Sequence, residues 1–226
     1  MTAGGALAIV SVSGACSRSG KTALAVSLLR ALRPGAAAAV KFTTTEDVFE
    51  RCPRGTPCVV CDIDVPFRVI EERAVLDEPG TDTRRLGEAG ASRVVWAIAK
   101  EAAVPAAWAA VQARLAACPL LVMEGSTIVH TARPDLLAFV VHPFLSPERW
   151  KPGSPALLAA ADVVVVNRPQ GERRPPADAV LRAIDAARPR GAVAIADVTR
   201  PLDLWEPLLH ERLRALERVA PAGARA

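Results

Sequence analysis

Tyrosine is absent from the 226 residues, and phenylalanine, with five, is scarce. With 51% hydrophobic residues, the interior must therefore be built mainly from Val, Leu, Ile and Ala. Long apolar runs are also missing. None approaches the roughly 18 uninterrupted apolar residues of a membrane-spanning helix, so no membrane partner is expected. The formal charge of +4 comes from scattered arginines. It forms no basic face or stripe, and no nucleic-acid partner is expected. The five cysteines are an odd number, which argues against a secreted disulfide framework. No basic-then-apolar signal segment opens the chain. Cytoplasm, with reduced thiols, is the expected compartment. His130, His142 and His210 are far apart and form no ligand pair, although His142 follows a strand and precedes Pro143. Internal repeats are absent.

Lysine is the most informative shortage. Among 28 basic residues only Lys21, Lys41, Lys100 and Lys151 are lysines. One of the four stands in the arrangement of a phosphate-binding loop. An apolar strand, Leu7 to Ser13, runs into Gly14-Ala15-Cys16-Ser17-Arg18-Ser19-Gly20-Lys21-Thr22, and an amphipathic segment, Ala23 to Leu32, follows directly. Backbone N–H groups of such a turn, backed by a helix N-terminus, form an anion site. Lys21 would reach the β- and γ-phosphates and Thr22 would hold Mg²⁺ through its hydroxyl. The usual spacing begins with glycine where this chain has Ala15, and Gly14 lies one place earlier. Either Ala15 keeps a negative φ, or the loop is one residue longer than usual.

The length suits a single domain over 1–226, with a cysteine-containing insertion at about 48–76. Further strands are expected at Ala37 to Phe42, Pro57 to Ile63, Arg93 to Ala99, Leu120 to Met123, Leu136 to Val141, Val163 to Val166 and Ala192 to Ala196. Helices are expected at Val104 to Ala117, Pro155 to Ala161, Ala177 to Ala187 and Pro207 to Val219. Continuous apolar strands alternating with helices predict an α/β fold, a mostly parallel sheet with helices on both faces. Ligands of such sheets lie beyond the carboxyl ends of the strands. Those ends carry the phosphate loop, Thr43 to Asp47, Glu124-Gly125 and Asn167-Arg168.

Asp82 in this reading binds Mg²⁺ directly or through water, or holds an arginine; alternatively it caps a helix from Thr83 to Ala89. Glu124 orients Mg²⁺ or water, or makes only local hydrogen bonds. Arg84 and Arg85 are candidates for a phosphate-bearing second substrate. Asn167 pairs with a nucleobase edge, or is a simple turn residue. Cys58-x-x-Cys61 has the spacing of half a zinc or iron–sulfur site, with Cys52 as a third thiolate and Asp62, Asp64 or a partner subunit as a fourth ligand. Packing as small buried hydrophobes is the alternative for these cysteines. Cys16 is a redox-sensitive candidate and Cys118 a packing residue. Lys151 lies in Pro147-Glu148-Arg149-Trp150-Lys151-Pro152-Gly153, either a cover for a substrate or an exposed linker.

The segment Asp77-Glu78-Pro79-Gly80-Thr81-Asp82-Thr83-Arg84-Arg85-Leu86-Gly87-Glu88-Ala89-Gly90-Ala91 resembles the Pro-Gly-Lys-Asp-Ser…Arg…Ala-Gly-Ala region of the MobB family. These are GTP-binding proteins linked to molybdopterin-guanine dinucleotide synthesis. The order of the pieces is also similar: phosphate loop, a strand ending in Lys41, the Pro-Gly-x-Asp-Thr segment, the strand Val94 to Ile98, then a strand ending in Glu124-Gly125. The resemblance covers residues 7 to 125. It departs at Lys41 to Asp47, where the family has a histidine-containing stretch, at the cysteine insertion, and in the length beyond residue 125. It implies a P-loop NTPase fold, a homodimer, and a group that includes dethiobiotin synthetase and metallochaperone NTPases. Asn167 looks like the base-contacting asparagine of the dethiobiotin synthetase branch.

Three functions are consistent with these residues. The first is Mg²⁺-dependent binding and hydrolysis of GTP or ATP in cofactor or metalloenzyme maturation, with molybdenum cofactor as one case. In it Lys21 stabilises charge and Glu124 or Asp82 assists metal or water. The second is an ATP-dependent small-molecule kinase or ligase. The third is a non-catalytic nucleotide-binding adaptor for a metalloenzyme or cofactor-synthesis partner.

Overall fold

The computed structural model describes residues 7–45 and 64–219. In chain order its elements are β1 (Ala8–Gly14), α1 (Lys21–Ala31), β2 (Ala38–Thr44), β3 (Phe67–Ile70), α2 (Arg73–Leu76), α3 (Asp82–Glu88), β4 (Val94–Ala99), α4 (Val104–Arg114), β5 (Leu120–Glu124), α5 (Val129–Ala132), β6 (Leu136–Val141), α6 (Ser154–Ala160), β7 (Val163–Asn167), α7 (Asp178–Ala187), β8 (Ala192–Ala196) and α8 (Pro207–Val219). The strands form one sheet in the order β3-β4-β2-β5-β1-β6-β7-β8. All neighbours run parallel except β3, which is antiparallel to β4.

The inner strands are buried on both faces, as their unbroken apolar sequences require. Every residue of β5 and β6 is buried. Alternation along each strand separates two packing layers. Val10, Val12, Val122, Ala138 and Val165 face α1, α3 and α8, whose Leu24, Leu28, Leu86, Leu209 and Leu213 complete that layer. On the other face Leu121 and Met123 pack against Trp108 and Val111 of α4. Phe139, Val164 and Val166 pack there against Leu157 and Leu158 of α6 and Ile184 of α7. The absence of tyrosine has the expected result, a largely aliphatic core. Helices thus cover both faces of a mostly parallel sheet, and a short turn joins β1 to the start of α1. The expected fold class is the one found.

The chain leaves β1 toward β2 on one side, returns to place β5 beside β1, and then crosses to β6 on the other side. This reversal opens the crevice beyond the carboxyl end of β1. Parity then decides which polar strand ends share it. Lys41 pairs in register with Glu124, and Glu124 with Val12. Lys41, Glu124 and Asn167 therefore share the sheet face that carries α1.

Several elements differ from the sequence expectations. The expected strand Pro57 to Ile63 lies outside the described residues. So does most of the insertion, but its last part holds β3 and α2. The β3 sequence has only four residues, too few to show alternation. The α4 helix stops at Arg114, where Leu115 leaves helical geometry. Helix α3 begins at Asp82, and its cap is Thr81, whose hydroxyl accepts the Arg84 N–H at 3.3 Å. Asp82 is therefore a first-turn residue, free to point elsewhere.

Asp162 fastens the second half of the sheet. Its carboxylate accepts the Leu137 N–H at 2.8 Å and meets Arg190 and Arg212, each at 2.9 Å. Burial acts to raise its pKa, but the Leu137 amide and the two arginines outweigh this and hold it below the ordinary aspartate value. Asp162→Ala is expected to lower stability by about 2 kcal/mol, mostly through the orphaned Leu137 amide, because the arginine heads are half-exposed. A depressed carboxyl stabilises the folded chain above its unfolded pKa. That contribution is lost as pH falls through the folded pKa. Urea unfolding of both proteins is the check: the gap between them should narrow as pH falls below about 4, with the Leu137 amide part persisting.

Candidate functional site

Gly14, the last residue of β1, packs too tightly for a side chain. A Cβ there would lie 2.6 Å from Ser19 Oγ, 2.8 Å from Lys21 Cγ and 2.9 Å from the Val140 carbonyl oxygen. Ala15 follows with a negative φ and no exposure, its N–H donating to Val140 O at 3.1 Å. The loop thus keeps its ordinary length with Ala15 at the first position, and Gly14 provides the close approach. Positive φ falls at Arg18 (60°) and Gly20 (107°). Gly20 is the N-cap of α1, and a Cβ on it would collide with the Asn167 amide. Gly20→Ala is expected to cost about 1–2 kcal/mol in backbone strain alone and to push Asn167 off the loop. Thermal unfolding checks the first effect, and loss of the Asn167 Nδ2–Ser19 carbonyl contact in the variant's structure checks the second.

Lys21 and Thr22 open α1 immediately behind this loop. Lys21 Nζ donates to the Cys16 carbonyl at 2.8 Å, so its ammonium lies over the loop. Burial lowers its pKa, reinforced by Lys151 and Lys41 and opposed by Glu124. Thr22 Oγ1 donates to Glu124 Oε2 at 2.8 Å, and both residues are buried. Asp82 comes from α3 to the same place. It ion-pairs with Lys41, lies beside the Thr22 hydroxyl, and has Arg85 at 3.7 Å. Burial acts to raise the Asp82 pKa, but Lys41, Thr22 and Arg85 prevail and keep it ionised below the ordinary range. One hydroxyl and two carboxylates thus converge. This is an all-oxygen set suited to a hard cation such as Mg²⁺.

Other candidates take different places. The Asn167 Nδ2 donates to the Ser19 carbonyl at 3.0 Å, and its Oδ1 accepts the Val198 N–H at 3.4 Å. It ties β7 to the phosphate loop, and the amide keeps one N–H and one lone pair. Ser17 and Arg18 are exposed on the loop, while Ser19 is buried with no hydrogen-bond partner for its hydroxyl among the described residues. Cys16 is buried, and burial raises its thiol pKa despite Lys21, Lys151 and Arg149 nearby. A thiol so protected is a poor redox sensor. Arg84 is directed to Glu88, four residues along the exposed surface of α3. His142 Nδ1 accepts the Phe144 N–H at 3.1 Å, a local contact. Cys118 packs, half-buried, against the core. Cys52, Cys58 and Cys61 lie outside the described residues, as does Asp62. Asp64 pairs with Arg68 on the surface. Among the described residues no group of three or more His, Cys, Asp or Glu side chains is arranged for a metal, and no helix is long and apolar enough to cross a membrane.

Sequence reasoning noted Lys41 as a strand end but assigned it no role. Its signal was available: a rare lysine beside Glu124 on a neighbouring strand has the reach to meet a carboxylate. The sequence admits Lys151 as either cover or linker. The structure places its backbone against the phosphate loop, where its N–H donates to Ala15 O at 2.8 Å.

No family model matches the chain, and no curated protein matches it in sequence. Among solved structures, HypB from Helicobacter pylori, determined in complex with nickel, is 12% identical. That match covers 97% of this chain and 91% of HypB, with a TM-score of 0.49. A ParA family ATPase from Chlorobium tepidum TLS is also 12% identical. It covers 98% of this chain and 94% of its own, with a TM-score of 0.41. Likeness at these values says nothing of what this chain binds.

Proposed function

We propose that this chain binds a nucleoside triphosphate with Mg²⁺ and hydrolyses it, acting in the maturation of a cofactor or metalloenzyme. The observation that carries the reading is the convergence of Thr22, Glu124 and Asp82 beside Lys21 at the head of α1. The buried Ser19 hydroxyl, without a hydrogen-bond partner among the described residues, supports it, because an orphaned buried polar group is costly and an anion oxygen satisfies it. Loop N–H groups and Lys21 hold the phosphates. Thr22, Glu124 and Asp82 hold Mg²⁺, which neutralises charge on the phosphate oxygens. Glu124 fixes the Thr22 rotamer, and Lys41 keeps Asp82 ionised and oriented. The free N–H and lone pair of Asn167 face a nucleobase edge. The molybdenum role and the homodimer rest on the MobB-like segment alone.

Isothermal titration with ATP and with GTP at fixed Mg²⁺ is the test. Sub-millimolar binding of at least one nucleotide is expected, and binding of neither overturns the reading. Turnover that appears only with an added metabolite would assign the chain to the kinase or ligase class. Binding without turnover would assign it to the adaptor class. Light scattering with and without a chelator decides whether a dimer forms and whether metal at the cysteines supports it.

A further inference from the structure

Three of the four lysines in the chain stand together at the phosphate loop. Lys21 belongs to the loop itself. Lys41 reaches it from β2 and is committed to Asp82. Lys151 comes from the segment between β6 and α6, and two bonds to one loop carbonyl set its position. Its N–H donates to Ala15 O at 2.8 Å, and the buried Ser154 Oγ donates to the same oxygen at 3.3 Å. The segment leading to it is braced as well. Trp150 Nε1 donates to the Leu145 carbonyl at 3.2 Å, and the Trp150 ring packs on the α6 and α7 layer. The Ala177 N–H bonds the Pro143 carbonyl at 2.9 Å. A fixed backbone therefore carries an exposed side chain close enough to Lys21 to disfavour its charge.

Among the described residues neither Lys21 nor Lys151 has a carboxylate within ion-pair distance. Two cations held near each other repel, Glu124 offsets this at Lys21 only in part, and a chain that otherwise uses arginine carries lysine at both positions. A compact ammonium suits a single phosphoryl oxygen, whereas guanidinium favours bidentate pairing. Arg149 also stands near Cys16.

We propose that Lys151 is an intramolecular contact for the terminal phosphoryl group of the bound nucleoside triphosphate, supplied from the β6–α6 segment. The inference rests on the nucleotide reading above. It goes beyond it by assigning discrimination between triphosphate and diphosphate to a residue outside the phosphate loop. On the terminal phosphate, a third cation stabilises charge that the diphosphate lacks.

Lys151→Ala tests this cleanly, because the contacts that anchor the segment are a backbone N–H and the Ser154 hydroxyl, and both survive the substitution. Wild type, K151A and K151R are titrated with Mg·ATP, Mg·GTP, Mg·ADP and Mg·GDP, and circular dichroism confirms folding. Triphosphate affinity of K151A is expected to fall about tenfold or more, the worth of one charge-assisted hydrogen bond. Diphosphate affinity should stay within about twofold, and K151R should recover part of the triphosphate loss. Equal loss for triphosphate and diphosphate would overturn the proposal, reducing Lys151 to a general electrostatic influence. Unchanged triphosphate affinity in K151A would also overturn it. Wild type that binds none of the four nucleotides would overturn the nucleotide reading and this assignment together, a result separable from the other two.

Discussion

Lys21→Ala is expected to abolish tight nucleoside triphosphate binding while leaving the protein folded. The side chain donates to the Cys16 carbonyl over the loop and has no carboxylate partner among the described residues. Its ammonium is therefore available to phosphate oxygens, and losing two charge-assisted contacts weakens binding by about a hundredfold or more. Alanine is compatible with the first turn of α1. The nucleotide-free variant should be at least as stable as wild type at neutral pH. Burial, Lys151 and Lys41 lower the Lys21 pKa below its ordinary value. A lysine depressed in this way destabilises the folded state while it is protonated, and the penalty fades as pH rises through the folded and then the unfolded pKa. Thermal unfolding with and without Mg·ATP or Mg·GTP measures both effects. Ligand at about a hundred times Kd should stabilise wild type by about 2.7 kcal/mol and leave K21A unmoved. Undiminished affinity in a folded variant would remove Lys21 from the site.

Glu124→Ala should strike turnover harder than nucleotide affinity. Glu124 is buried at the end of β5 and accepts the Thr22 hydroxyl hydrogen bond at 2.8 Å. Without it Thr22 loses the group that sets its rotamer, and Asp82 is left as the other carboxylate of the oxygen set. Turnover at saturating nucleotide is expected to fall about a hundredfold, roughly 2.7 kcal/mol of barrier. The Mg²⁺ concentration for half-maximal rate should rise, while affinity measured without Mg²⁺ changes little. Glu124→Gln keeps an oxygen for the Thr22 hydrogen bond but not the charge, so it separates orientation from metal binding. A wild-type Mg²⁺ dependence in both variants would return Glu124 to a purely local hydrogen-bonding role.

The parts legible in the sequence were those governed by local chemistry. The β1–loop–α1 unit could be read because an apolar strand, a glycine turn and a helix start with Lys21 and Thr22 follow one another directly. The inner strands β5, β6 and β7 were legible because burial on both faces leaves uninterrupted aliphatic runs. Whether Ala15 or Gly14 supplied the close approach was not legible, since it depends on where Ser19 and the Val140 carbonyl return in space. Nor did spacing reveal that Thr81 caps α3 and frees Asp82, because neighbouring polar residues compete for the cap position.

What the sequence determined by itself was the α/β class, the β1–turn–α1 unit and the polar residues at the strand ends. The tertiary structure decided which of those ends meet. Lys41, Asp82 and Glu124 are separated by tens of residues, and they converge only because β2 and β5 are neighbours and α3 packs on their shared face. Lys151 meets the loop because β6 lies on the opposite side of β1 and directs the following segment back to Ala15. Strand order and residue parity made these choices. Both are properties of long-range pairing, which local sequence patterns do not encode.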